Sequence, residues 1–278
     1  LANLTLLTGN IGKEGSGINP LLGQNNGLGA FIMGATPNFY TDFQPVTDSN
    51  TRSKFEKFYK VSLPKNDGLT IREMLNKAHE GEIKALFVMG TDVLMSEPDT
   101  KRVKKALKNL DLLVVLDIFM SNTAKYADVL LPAACFAEKD GTFTNIERRV
   151  QRVRKTTSPP GKAKADWKII TELANQMGYP MDYQSPEAIW EEIRIVSPNF
   201  AGINYQRIEN VGIQWPCPDM KHQGTKFLYD EKFPHGKASF SLTEREPFLE
   251  KTSTNFPFIL STGRTLYHFN TGSMTRRA

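Results

Sequence analysis

The chain has only two cysteines, Cys135 and Cys217, and no Cys-x-x-Cys pair. By spacing, this segment alone holds neither an iron–sulfur cluster nor a zinc ion. The two read as unpaired buried thiols in a reducing compartment. No run of about 18 apolar residues occurs, so no segment reads as a membrane span. No secretory leader is visible either. The chain opens as LANLTLL, without Met and already in apolar helical periodicity, and closes on SMTRRA with no element completed. It therefore reads as an internal piece of a longer chain. A strong charge of one sign is also missing: 35 basic and 30 acidic residues leave +5. Basic residues gather in KRVKKALK (101–108) and RRVQRVRK (148–155), each readable as a solvated face. Neither comes with an aromatic-interleaved strand or a recognition helix, which argues against nucleic acid. A polyanionic cofactor carrying phosphates suits the charge better.

What is present is ordinary globular composition, 40% hydrophobic and 23% charged over 278 residues, enough for one large core or two modest ones. Leu1–Leu7 reads as a helix end. Eight glycines fall in the first 34 residues, around the amide-rich Gly-Gln-Asn-Asn. That density predicts a loop that turns tightly or approaches something closely. Residues 51–60 and 70–80 predict helices, the second capped by Thr70 with Glu73 at the capping-box spacing. IKALFVMG (83–90), LDLLVVLD (110–117) and ADVLLP (127–132) are short apolar runs of the kind that form buried parallel strands. A basic helix from Pro98 to Leu107 and a short helical turn at 123–126 separate them. This is the grammar of a doubly wound parallel sheet. Further on, 165–178 and 185–196 predict amphipathic helices, the second with Pro186 at its first position. Residues 197–245 are rich in Pro, Gly and aromatics, and 257–264 predict a strand.

In such a sheet, ligands bind beyond the carboxyl ends of the strands. The segments there are 90–96, 117–123 and 132–144. They carry Asp92, Ser96, Asp117, Ser121 and Thr123, which either cap the following helices or meet hydroxyls and base edges of a ligand. Asp166 sits where a helix N-terminus favours negative charge.

Read together, GNIGKEGSGINPL–GQNN, MGATPNFY, the strand–Met-Gly–Asp element, LDIFMSNTAKYADVLLPA, EKDGTFTNIERRVQRVRK, ADWKIITELANQMGY, QWPCP and LSTGRTLYHFNTGSMTRR resemble the catalytic (alpha) subunits of formate dehydrogenases, within the molybdopterin oxidoreductases of the DMSO reductase superfamily. The resemblance runs essentially end to end. It implies a bis-molybdopterin guanine dinucleotide cofactor holding Mo or W, and a [4Fe–4S] cluster. The metal-ligating Cys or selenocysteine and the cluster cysteines would lie upstream of Leu1, so no metal ligand is expected here. It implies formate or a related small substrate, iron–sulfur or NAD-linked electron-transfer partner subunits and a cytoplasmic location. Gly23 and Gln24 match a loop lying against one pterin. Asp92, Ser96 and Asp166 match dinucleotide-binding positions, Asp117 falls at a corresponding strand end, and Arg264 and His268 match further cofactor contacts. A carboxylate can accept the paired donors of a guanine edge, and an arginine supplies a cation for pyrophosphate. Arg148 and Arg149 are either strand-face charges or cofactor contacts.

One departure bears on substrate. Formate dehydrogenases read NPLRGQNN or NPVRGQNN in the first loop, where this chain has Leu22 in place of the arginine; NGLGAFI likewise replaces NVQGACD. Losing a charge-assisted contact to a carboxylate costs on the order of several kcal/mol of transition-state stabilisation. Three readings follow: another substrate, an orienting charge supplied from elsewhere, or a non-catalytic electron-relay role like that of the large iron–sulfur subunit of respiratory complex I. The expected fold is α/β. Residues 1–24 end a preceding α/β domain and form the pterin loop, and 25–186 form a Rossmann-like parallel sheet with flanking helices that holds the dinucleotide. Residues 187–245 form a small irregular connecting region, and 246–278 start a C-terminal β-rich, barrel-like domain.

Overall fold

The computed structural model describes residues 1–242, 244, 251–263 and 265–277. Two short helices, α1 (Ala2–Leu7) and α2 (Gly27–Ile32), flank the glycine-rich loop, and a two-residue hairpin follows, β1 (Phe39–Tyr40) and β2 (Gln44–Pro45). Then come α3 (Ser49–Tyr59), α4 (Ile71–Glu80), β3 (Ala85–Met89), α5 (Val93–Ser96), α6 (Thr100–Lys108), β4 (Leu112–Asp117) and β5 (Val129–Pro132). The remainder holds β6 (Gly141–Thr144), β7 (Arg149–Val153), α7 (Asp166–Gln176), α8 (Pro186–Val196) and β8 (Ile213–Gln214).

The α/β expectation holds. Strands β3, β4 and β5 pair in that order, all parallel, with Val88 opposite Val115 and Asp117 opposite Pro132. The α5–α6 crossover is what makes the β3–β4 pair parallel. Helix α4 begins at the expected capping box: Thr70 accepts from the Glu73 amide, and Glu73 accepts from the Thr70 amide. Leu75 and Ala78, three apart on its inner face, meet Val103, Ala106 and Leu107 of α6 over Val88, Leu113 and Val115. The run KRVKKALK is thereby explained: every third or fourth residue enters the core and the lysines face solvent. On the opposite face, Ile169 of α7 packs on Leu116 and Ala133.

A second core lies around the antiparallel sheet β6–β7–β8. Ile32 of α2, Val150 of β7, Trp190 of α8, Phe200, Ile203 and Ile213 close it. The first helix glycines have a packing reason here. A Cβ on Gly29 would stand 3.2 Å from the Thr144 amide nitrogen and 2.1 Å from Asn26 Oδ1. That amide donates to Asn26 Oδ1 at 2.8 Å, so the bare glycine lets α2 lie against β6. The stretch 27–32, read as loop from its glycines, is therefore helical.

Asp42 ties the first residues of this unit to its last. It is buried with φ 65°, accepts from the Asn199 amide at 3.0 Å and side chain at 3.2 Å, and from Trp215 Nε1 at 2.9 Å. Arg148, also at positive φ, donates to the carbonyls of Trp215, Thr225 (2.9 Å) and Lys226 (2.8 Å). Arg152 stacks on Tyr205 and pairs with Glu209 at 3.0 Å, and Arg154 pairs with the same carboxylate at 2.8 Å. The second basic run is thus largely spent on protein contacts.

Two expectations need correction. The strand predicted at 257–264 does not form over its described residues, 257–263; Phe258, Ile259 and Leu260 stand 81–89% exposed and pair with no strand among the described residues. Arg264 lies outside the described residues. Of the two thiols, Cys217 is buried but Cys135 is only half-buried. Among the described residues no helix is long and apolar enough to cross a membrane.

Candidate cofactor-binding cleft

A cleft of about 400 Å³ opens where all three parallel strands end. Gly90, Thr91 and Asp92 follow β3. Asp117, Ile118, Phe119 and Ser121 follow β4. Ala134, Cys135 and Phe136 follow β5, and Lys139, Phe143 and Asp166 close one side while Ser273, Met274 and Arg277 close another. Strands of a parallel sheet all present their carboxyl ends to one edge, so the topology itself assembles this site.

Asp92 is 3% exposed. Its Oδ1 accepts from Thr123 N at 3.1 Å and Thr123 Oγ1 at 2.8 Å, and its Oδ2 from Asn122 N at 2.9 Å. Thr123 Oγ1 in turn accepts from Leu94 N at 3.2 Å, and Ser121 Oγ from Ala124 N at 3.1 Å. These buried groups latch the turn after β3 to the turn after β4. Of the two readings of Ser121, capping or ligand contact, capping describes its bond to the Ala124 amide.

Asp117 differs. Only Oδ1 is engaged, by the Ile118 amide at 2.7 Å and weakly by the Phe119 amide at 3.4 Å. Its Oδ2 carries no hydrogen bond among the described residues, and Asp117 lines the cleft together with Phe119 and Phe136. Asp166, first residue of α7, forms an ion pair with Lys139 across the cleft wall, the two side chains 20% and 25% exposed.

The fold therefore brings Asp92, Asp117 and Asp166 together. It does not bring the other predicted residues there. Ser96 ends α5, exposed and outside the cleft lining. Gly23 and Gln24 are exposed in the loop before α2, where a Cβ on Gly23 would come within 2.5 Å of Asn270 Oδ1. Leu22, 38% exposed, lies beside Gly27 in the same loop. His268 is exposed, with Nδ1 3.1 Å from Thr275 Oγ1. A separate cavity of about 470 Å³ borders the glycine loop from Ile11 to Pro20, beside Arg148 and Tyr229. Lys139 and Arg277 were not singled out from sequence. The first was legible as the one cation in the segment after the third strand; nothing local marked the second. Among the described residues no three His, Cys, Asp or Glu side chains converge as a metal site would need.

The sequence pattern of molybdopterin oxidoreductases matches residues 1–176, which contain the whole parallel sheet and most of the cleft. The chain belongs to that family. Among its relatives, the F420-dependent formate dehydrogenase subunit alpha of Methanocaldococcus jannaschii is 51% identical over 100% of this chain and 41% of its own length. Formate dehydrogenase H of Escherichia coli is 42% identical over 99% of this chain and 39% of its own. The assimilatory nitrate reductase catalytic subunit of Bacillus subtilis is 39% identical over 99% and 41%. The chain spans about two-fifths of the length of these relatives. Membership in the family implies a molybdopterin cofactor with Mo or W.

Proposed function

We propose that this chain is the dinucleotide-holding part of a formate dehydrogenase-like oxidoreductase, and that the cleft at the strand ends receives the nucleotide end of a molybdopterin guanine dinucleotide. The single observation carrying this is the cleft itself, built at the carboxyl ends of β3, β4 and β5 within the matched region. Its residues fit the group. A half-engaged carboxylate, Asp117, can accept the N–H donors of a guanine edge. Phe119, Phe136 and Phe143 offer aromatic faces, and a cationic side chain lines the wall where a phosphate could be met. Asp92 keeps the two strand-end turns in register so that these groups point at one space. When bound, that group supplies the metal that takes up two electrons as formate becomes carbon dioxide and a proton. A [4Fe–4S] cluster and electron-transfer partner subunits then belong to the complete protein, in a cytoplasmic setting. The relatives whose names include formate dehydrogenase favour substrate turnover over the electron-relay role.

Leu22 is the test of substrate. If formate is the substrate, its carboxylate is oriented by a group other than residue 22. The complete protein should reduce an artificial dye with formate as donor. Leu22→Arg should raise kcat/KM for formate about 10- to 100-fold, the worth of one charge-assisted hydrogen bond. A protein loaded with metal and pterin that ignores formate with either residue at position 22 would sink formate as the substrate.

A further inference from the structure

Two cations line the cleft among its described residues, and they differ in how far their charge is spent. Lys139 is committed to Asp166, both side chains partly buried and directly paired. Arg277 is not. Its Nη2 lies 3.5 Å from Asp92 Oδ2, longer than the roughly 2.7–2.9 Å of a good charge-assisted bond. Its Nη1 donates to Ser273 O at 3.3 Å, also long. Asp92 already takes three donors at 2.8–3.1 Å, so it does not need the guanidinium for hydrogen bonding. An arginine has five N–H donors in a planar fork that matches the oxygens of a phosphate group. Arg277 therefore reaches the cleft 27% exposed beside a buried carboxylate, and among the described residues its guanidinium makes only these two long contacts.

We propose that Arg277 is the cleft's anion-holding residue, oriented by Asp92 to bind the pyrophosphate of the dinucleotide. This rests on the functional reading above. Asp92 acts as the positioning residue: its charge, 3.5 Å from Nη2, draws the guanidinium to the cleft. The arrangement also makes the segment 272–277, far along the chain from the sheet, a wall of the site. Cofactor binding would then fasten that segment to the strand ends.

A merely structural role is the competing reading, in which Arg277 does no more than neutralise Asp92. Four forms of the complete protein separate the two: unchanged, Arg277→Ala, Arg277→Lys and Asp92→Asn/Arg277→Ala. Each is purified both with cofactor and from a host that makes no pterin. The readouts are pterin and metal per protein, the rate of pterin release after dilution, and the unfolding midpoint of each form. Inorganic pyrophosphate is added as a competitor to tell the dinucleotide's own phosphates from adventitious anion binding. The proposal predicts about 10- to 100-fold faster release from Arg277→Ala, the loss expected for a charge-assisted bond. Arg277→Lys should restore part of it as a point charge without the fork. The midpoint of the cofactor-free protein should move little, while the stabilisation given by bound cofactor shrinks. Millimolar pyrophosphate should speed release from the unchanged protein and not from Arg277→Ala. Two outcomes overturn the proposal: unchanged release from Arg277→Ala, or a lowered cofactor-free midpoint that Asp92→Asn repairs together with release. An unchanged protein that never contains pterin would instead overturn the functional reading on which this rests.

Discussion

Asp92→Ala should destabilise the protein by about 3 kcal/mol or more and empty the cleft of cofactor. The carboxylate is buried and accepts three hydrogen bonds from Asn122 and Thr123. Alanine leaves those donors unpaired in a space that other buried groups surround, and each such loss costs on the order of 1–3 kcal/mol. It also frees Arg277 from the charge that draws it to the cleft. Asp92→Asn should be milder, because the amide keeps one acceptor oxygen but turns its own N–H donors toward protein donors. Urea unfolding midpoints and hydrogen exchange at the amides of Leu94, Asn122 and Thr123 measure the effect. Fast exchange at these three amides in the variant, with the α3 amides still protected, would localise the damage to the strand-end latch. Unchanged protection would show that the latch does not depend on Asp92.

The other large effect is expected at Asp42. Asp42→Ala removes three hydrogen bonds and puts alanine at φ 65°, where a residue other than Gly, Asn or Asp is strained. The combined cost is about 3–5 kcal/mol. Asp42→Asn tolerates that backbone and should cost less. The aspartate also gives a pH signature. Burial pushes its carboxyl pKa above the ordinary 3.8, outweighing the bonds from Asn199 and Trp215 and the charge of Lys54. With the folded value above the unfolded one, its contribution is fully present below about pH 4 and is lost as pH rises through the folded pKa. Between those limits the unchanged protein should lose stability relative to Asp42→Asn as pH increases. Parallel stability curves for the two proteins over that range would refute the buried-carboxylate account.

The parallel sheet was readable because its strands obey one local rule. IKALFVMG, LDLLVVLD and ADVLLP are short, apolar and bounded by polar or glycine residues, the pattern of a covered parallel sheet. Only β4 is largely buried, however, and Phe87, Met89, Val129 and Leu130 of its neighbours stand exposed, which corrects the expectation of fully buried strands. The Thr70–Glu73 box and the Pro186 start are equally local, and both stand as expected. The β6–β7–β8 sheet is only partly legible: the sequence offers a strand face at Arg148 and Arg149 but no strand bounds. GTFT and RVQRV carry little apolar alternation, and the arginines hide their role until Tyr205, Glu209 and the carbonyls near Trp215 arrive from about 50 to 80 positions away. Helix α2 was hidden by its glycines, of which Gly29 is required by the close approach to Thr144. The failed strand at 257–263 is the reverse case: a strand-like run that pairs with no strand among the described residues. For the cleft, sequence reasoning found the acidic residues, since strand ends are predictable from the strands. It missed Arg277, whose place depends on a chain return of about 180 residues from Asp92, and no local pattern encodes that.

Asp117 is the residue through which the cleft at the ends of β3, β4 and β5 is proposed to hold the pterin dinucleotide. The direct test is the metal and pterin content of the complete protein, unchanged and as Asp117→Ala, with unfolding midpoints measured beside it. The account predicts Mo or W and pterin in the unchanged protein, and about tenfold or greater loss of both from Asp117→Ala at a closely similar midpoint, as expected when a charged hydrogen-bond acceptor of the ligand is removed. Full cofactor content in Asp117→Ala would contradict it and move the nucleotide to another part of the protein.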